Sequence, residues 1–395
     1  MKKNLSLFTF IALILGIIFG LFFSTYVDAI AFIGTWYITF LKYMIVPVVF
    51  TSISVSVFDS RKLKNRLIIK TVVLFALMFI ATFLLSSLVV VLVNPAKGFV
   101  LENVEWTGTT TTFNVGDMFL NLIPRDLKKF LTGSYLFSVI IFSFLVGYLC
   151  SRFEKGKDVI DLIRKVKDFL FKILEYFMYL TPFAVFSLIS VTVAKYGVVL
   201  LGVGVRYILT AYLCALLTLI FIMILPVLLI TKMSPAEFLK KVNKIWLMTI
   251  TTCSSSATLP YTIKTCNEEF GIPSEITDVV VPLGCTIHMC GGAVSFSLLG
   301  LFCSSLFGVE VTLSRYLLML VSAVLINMSA PGIPNGGVVI GATYLQLLGI
   351  PLDFIGFYSG IYKLLDMVYT SLNVTGDITA NVIINSLTKA GVKKE

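Results

Sequence analysis

The chain has 395 residues, of which 58% are hydrophobic and only 13% charged, with 33 Phe and a mean hydropathy of +0.98. This composition excludes a water-soluble globule, and repeated apolar runs of about 20 residues mark a polytopic membrane protein embedded in a lipid bilayer. The net charge of +10 does not point to nucleic acid, because the Lys and Arg residues sit in short connectors without an aromatic-interleaved basic patch, as positive-inside topology requires.

In chain order, Met1-Lys2-Lys3 precedes an apolar run from Leu5 to Ser24. The run is long for a signal sequence, has no clear small-residue cleavage site and is followed by further spans, so it reads as a retained first helix. A second helix is expected over 29–57, holding Pro47 with Lys42 before it, then a basic connector from Arg61 to Arg66. A third helix, 67–93, stops at Asn94-Pro95, since a residue before proline disfavours the helical conformation. Residues 94–112 are Thr- and Gly-rich and read as a hydrated loop. A fourth span over 113–150 is broken by Pro124, the charged run Arg125 to Lys129, and Gly133; a second basic connector follows from Arg152 to Lys167. Helix five is expected over 168–195 with Pro182 inside it, and helix six over 199–230 with Pro226 near its end. With the amino terminus placed in the cytoplasm, most Lys and Arg fall on the inner side.

After residue 232 the pattern changes. Residues 234–268 contain the polar kernel Thr249 to Pro260 (TITTCSSSATLP), too polar for a lipid-facing helix. Two half-length helices meeting at a polar tip form a re-entrant hairpin, tolerated only where it is buried in protein or lines a cavity. A second such element spans 311–350, with its tip from Asn327 to Gly337. Helix seven, 272–304, lies between them and is interrupted from Gly284 to Gly292. Paired broken segments point to a transport site at the bilayer midplane.

The last helix carries Lys363, Asp366, Tyr369, Thr370, Asn373 and Asp377 at steps of 3, 3, 1, 3 and 4, which puts all six on one stripe. Leu364, Leu365, Val368 and Leu372 form the opposite face. Ionisable groups within a membrane cost about 3 kcal/mol or more unless they face a partner or a wet cavity, so the stripe reads as a substrate or ion path. Two carboxylates, a hydroxyl and an amide suit cations and zwitterions. The seven cysteines contain no Cys-x-x-Cys pair and read as small buried hydrophobes.

Four motifs now carry a resemblance: SSSATLP (Ser254 to Pro260), PLGCTIHM (Pro282 to Met289), PGIPNGG (Pro331 to Gly337) and DMVYTSLNVTGD (Asp366 to Asp377). With the weaker matches FLKYMIVPVVF, NLIPRDL and TPFAVFSLI, the chain resembles the dicarboxylate/amino-acid:cation symporter family along nearly its whole length. The resemblance implies an all-α fold of eight transmembrane helices and two re-entrant hairpins, assembled as a homotrimer in the plasma membrane, with both termini cytoplasmic. It implies a scaffold (1–66 and 94–198) and an elevator-like transport domain (67–93 and 199–395, the last containing helix eight at 353–388). Ser255 and Asn373 match positions holding the substrate's α-carboxylate, Asp366 the one binding its α-amino group, and Thr370 a nearby polar contact. Ser254, Ser256 and Gly332 complete the tips around them. The implied coupling ion is sodium, and no enzyme activity is implied.

The departures from the pattern shape the expectation. Relatives that carry acidic substrates use an arginine in helix eight or at the first tip, and those positions here are Tyr369 and Cys253. Neither pairs a carboxylate as a guanidinium does, so a small neutral amino acid is expected, with Tyr369 offering a hydroxyl and a ring face. Gly284, His288, Asn373 and Asp377 match one sodium site; Thr286, Asn327, Met328 and Ala330 match a second, mostly through backbone carbonyls. A third is lost, its positions falling on His288, Cys290, Phe75, Met78 and Phe79, so fewer than three sodium ions are expected. His288, the one histidine, is either a satisfied core residue or a proton-coupling group. Lys363 either supplies a fixed charge or snorkels outward. An intramembrane hydrolase built on Ser255 and His288 lacks an activated-nucleophile motif. A channel would need rings of pore-lining groups.

Overall fold

The computed structural model describes residues 5–60, 66–99, 136–196, 199–327 and 336–392, and all its regular elements are helical. The expected loop from 100 to 112, the first part of span four and the second tip, with Met328, Ala330 and Gly332, lie outside the described residues. Among the described residues, four helical stretches are long and apolar enough to cross a membrane, 28–59, 67–93, 202–231 and 274–306, and several shorter apolar helices accompany them.

Helices α1 (Leu5–Phe22), α2 (Asp28–Ser60) and α3 (Arg66–Val93) fall close to the expected bounds. Next come α4 (Leu136–Cys150), α5 (Gly156–Phe177) and α6 (Thr181–Tyr196). Here the structure corrects the expectation of a basic connector followed by one helix. The connector from 156 onward is itself helical, and the break falls at a 3-10 turn, Met178–Leu180, just before Pro182. The reason is local: Lys157, Asp161, Arg164, Asp168, Lys172 and Glu175 recur at steps of three and four, while Ile160 and Leu174 are buried on another side of α5. Its charges therefore share one side of an amphipathic helix rather than forming a loop. Helix six is also not uniform. It runs as α7 (Val199–Thr218), a π-helical stretch at Leu219–Ile224, and α8 (Leu225–Thr231). Pro226 has no N–H for the carbonyl one turn back, and a widened turn just before it accommodates the loss.

The first hairpin is α9 (Pro235–Thr252) and α10 (Ser255–Glu268). Ser234 caps α9 by accepting from the Glu237 backbone N–H at 3.2 Å, with Pro235 in the first turn, which is a capping arrangement legible in the sequence. Helix seven is α11 (Ser274–Ile287) and α12 (Cys290–Leu306), separated by the extended His288 and by Met289. The second hairpin contributes α13 (Leu313–Asn327) and α14 (Gly336–Leu347), and the chain ends in the 40-residue α15 (Asp353–Val392).

Helix α15 is the axis of the molecule. Its residues from Phe354 to Asn385 are mostly buried on every side, including Leu365 and Leu372 on the supposed apolar face. The hairpin α9–α10, both halves of helix seven, and α7 pack against it, while α3 packs on α12 and α7. A second group forms around α2, which packs on α4, α5 and α6, with α1 on α6. Leu188 of α6 joins the groups: it contacts the positions where Gly34 of α2 and Gly356 of α15 lack a side chain, and a Cβ on Gly356 would lie 2.6 Å from the Leu188 Cβ.

Candidate functional site

Both breaks place backbone polar groups in the protein interior, where each needs a partner. At the first tip, Cys253 closes α9 in the left-handed conformation (φ 48°, ψ 40°), and Ser254 opens α10 as an extended residue. The Ser254 hydroxyl accepts from the Ala257 N–H at 3.2 Å, so this serine is committed to capping. Ser256 is exposed and lies 3.8 Å from the Cys285 sulfur, away from the site; Ser255 is the serine of the three that faces inward. Two hydrogen bonds fix the hairpin to α15: Trp246 Nε1 donates to Thr375 Oγ1 at 2.9 Å, and the hydroxyls of Thr249 and Ser371 lie 2.6 Å apart.

At the break in helix seven, asparagine side chains satisfy the freed backbone. The Gly291 N–H donates to Asn373 Oδ1 at 2.8 Å, leaving the Asn373 NH2 to donate elsewhere. Asn327 Nδ2 donates to the Ile287 carbonyl at 3.4 Å, and its own buried Oδ1 has no partner among the described residues. Gly291 sits directly on the backbone of Tyr369, where a Cβ would collide with the Tyr369 carbonyl.

These contacts enclose a cavity of about 60 Å³ between the first tip, the helix-seven break, the second hairpin and α15. Of the expected substrate residues, Cys253, Ser255, Asp366, Tyr369, Thr370 and Asn373 line it together, and Asn327 reaches it from α13. Thr370 Oγ1 donates to Asp366 Oδ1 at 3.2 Å. The Tyr369 side chain is buried in the cavity wall, with the Ser295 hydroxyl beside its own. Residues not anticipated from the sequence also line the cavity: Tyr362, one helical turn before Asp366, with Met289, Gly292, Ser295 and Phe296 beyond the break and Gly337 and Ile340 of α14. Met289, Gly292 and Gly337 fall inside the expected break and second tip without having been named as substrate contacts, and Ser295, Phe296, Ile340 and Tyr362 carried no signal beyond lying near those breaks or the polar stripe.

The sequence left open where Lys363 points. In the structure its ammonium donates to the Cys253 sulfur at 3.0 Å, so it reaches across to the hairpin tip instead of snorkelling outward.

The expected cation residues divide differently. Gly284, His288 and Asp377 come together beneath the cavity, where His288 Nδ1 lies 2.9 Å from Asp377 Oδ1 and Nε2 lies 3.1 Å from the Cys290 sulfur. Phe75 of α3 stacks on the imidazole with centroids 4.4 Å apart and an interplanar angle of 11°. Thr286 is exposed and gives its hydroxyl to the Pro282 carbonyl at 2.7 Å.

The family model of the sodium:dicarboxylate symporters matches residues 5–387. The chain belongs to this family. Among its relatives, the symporter chain is 27% identical to the "Proton/glutamate-aspartate symporter" of Bacillus subtilis (strain 168), over 100% of this chain and 97% of that one. It is 28% identical to the "Proton/sodium-glutamate symport protein" of Geobacillus stearothermophilus, covering 97% and 94%. It is 23% identical to the "C4-dicarboxylate transport protein" of Laribacter hongkongensis (strain HLHK9), covering 97% and 89%. As a member of the symporter family the protein is a membrane transport protein with the glutamate-transporter-like helical fold.

Proposed function

We propose that the protein is a cation-coupled symporter of an acidic amino acid in a plasma membrane. Asp366 takes the substrate's α-amino group, while Ser255, Thr370 and the free NH2 of Asn373 take its α-carboxylate. A carboxylate suits an ammonium, and hydroxyl and amide donors suit a carboxylate. The observation that carries the acidic reading is the Lys363 ammonium, 3.0 Å from the Cys253 sulfur at the cavity wall. The arginine positions of acidic-substrate relatives are vacant at Tyr369 and Cys253, and by themselves they favour a neutral side chain. Lys363 brings a cation to the second of those positions from a neighbouring helix. Its reach supports a second carboxylate on the substrate, and the named relatives carry glutamate, aspartate or C4-dicarboxylates.

A neutral amino acid is the second reading, favoured by the Tyr369 side chain at the cavity wall, in one of the positions where acidic-substrate relatives hold an arginine. In either case the protein works as an elevator in a homotrimer, with both termini cytoplasmic. The grouping of helices around α15 and around α2 supports that division. Fewer than three sodium ions couple, because Phe75, Met78 and Phe79 present buried apolar side chains where a third site needs oxygen.

The test is uptake of labelled aspartate, glutamate, succinate, serine and alanine into proteoliposomes under imposed sodium or proton gradients. Uptake of aspartate or glutamate in preference to serine and alanine supports the first reading. Uptake of serine or alanine without aspartate replaces it with the second.

A further inference from the structure

The resemblance assigns Asp377, Gly284 and neighbouring carbonyls to a sodium ion. Sodium prefers hard oxygen ligands with room to surround it. The donor set around Asp377 does not fit that requirement.

One carboxylate oxygen, Oδ1, is already taken by His288 Nδ1 at 2.9 Å. The Gly284 carbonyl accepts the His288 backbone N–H at 2.8 Å, which closes α11 and holds the imidazole against the carboxylate. The ring is enclosed on its remaining sides. Phe75 covers a face, the Cys290 sulfur lies at Nε2, and a Cβ on Gly376 would meet Cε1 at 2.6 Å. Gly284 presses against the carboxylate closely enough that a Cβ there would strike Asp377 Oδ1. The His288 side chain is almost completely buried and Asp377 with it. Sulfur, an aromatic face and a ring nitrogen stand where a sodium site needs oxygen.

We infer that the His288 imidazole occupies the place of the coupling cation against Asp377, so that Asp377 is a structural hydrogen-bond acceptor and not a sodium ligand in this chain. A tethered N–H replaces an exchangeable ion. The link between α11, α12 and α15 that the ion would make is therefore permanent, and sodium coupling runs through one ion at most. The inference does not depend on which substrate is carried.

The test uses sodium itself as the probe. The apparent melting temperature of the purified full-length protein is followed as NaCl replaces N-methyl-D-glucamine chloride at constant ionic strength, for the wild type and Asp377→Asn. Equal sodium-dependent shifts in the two proteins are expected, and a wild-type shift lost in Asp377→Asn overturns the inference. If Asp377→Asn does not fold, the wild type decides through its sodium dependence of substrate binding or melting. A Hill coefficient of about 1 or no dependence supports the inference and about 2 or more overturns it. His288→Asn, which opens the carboxylate to solvent ions, is expected to show a larger sodium-dependent shift than the wild type, and no increase would count against the inference.

Discussion

Lys363 and Cys253 are 110 residues apart in sequence, yet the ammonium of one lies 3.0 Å from the sulfur of the other. The contact joins the middle of α15 to the tip of the first hairpin, at the wall of the cavity that Asp366 and Ser255 also line. A cationic group thus touches a residue of the cavity wall although neither family arginine position holds one, which is the basis of the proposed acidic-substrate reading.

The proposed contact of Asp366 with the substrate's α-amino group predicts a difference between amino acids and plain dicarboxylates. Replacing Asp366 with Asn removes the charge opposite the α-amino group; losing one partner of a buried charge pair costs about 2 to 5 kcal/mol. Aspartate affinity is expected to fall about 30-fold or more, by the tenfold-per-1.4 kcal/mol relation, while succinate binding is unchanged or improved. Isothermal titration with the two ligands checks this, and equal losses for both would reject the assignment of Asp366 to the ammonium.

The junction of helix seven with α15 has no spare volume at Gly291. A Cβ there would drive into the Tyr369 backbone, which cannot move aside as a side chain can. Overpacking of this kind costs about 1 to 3 kcal/mol or more. Gly291→Ala is expected to lower the melting temperature and abolish substrate binding together, whereas Gly202→Ala, with open space at its Cβ, is expected to leave both intact.

Leu188 seated against Gly356 predicts a rescue. Gly356→Ala places a methyl 2.6 Å from the Leu188 Cβ and is expected to slow transport by obstructing movement of α15 past α6. Leu188→Gly in the same chain removes that Cβ and is expected to restore the rate. Initial uptake rates of the single and double variants decide, and additive losses would count against a moving interface here.

The hairpin tether is a smaller term. Trp246→Phe removes the bond to Thr375 and is expected to cost about 1 kcal/mol, read as a modest loss of thermal stability. Protease sensitivity near the first tip should rise with it.

Much of this site was legible in the sequence because its information is local. The stripe from Asp366 to Asn373 follows from helical spacing, and the serine-rich kernel and the Gly-rich interruption each announce a broken helix without reference to the rest of the chain. What was not legible depends on which elements meet. The spacing of Lys363 shows its face but not that a hairpin tip lies opposite, and nothing near His288 announces that Asp377, 89 residues on, accepts its N–H. Ser254 and Ser256 look equivalent to Ser255 as sequence. The fold separates them by giving one to the helix cap and turning another outward. The helical connector at 156–177 was hidden by its charges, which read as a loop until the apolar residues between them are placed on one face.

The most direct measurement is uptake of labelled aspartate and serine by the wild type and Lys363→Met in matched proteoliposomes. A charge-assisted hydrogen bond to the substrate contributes about 1.5 to 3 kcal/mol. The wild type is therefore expected to prefer aspartate, and Lys363→Met to lose aspartate affinity about 10- to 150-fold with serine uptake little changed. Aspartate uptake that survives Lys363→Met unaltered, or a wild type that carries serine and not aspartate, would contradict the account.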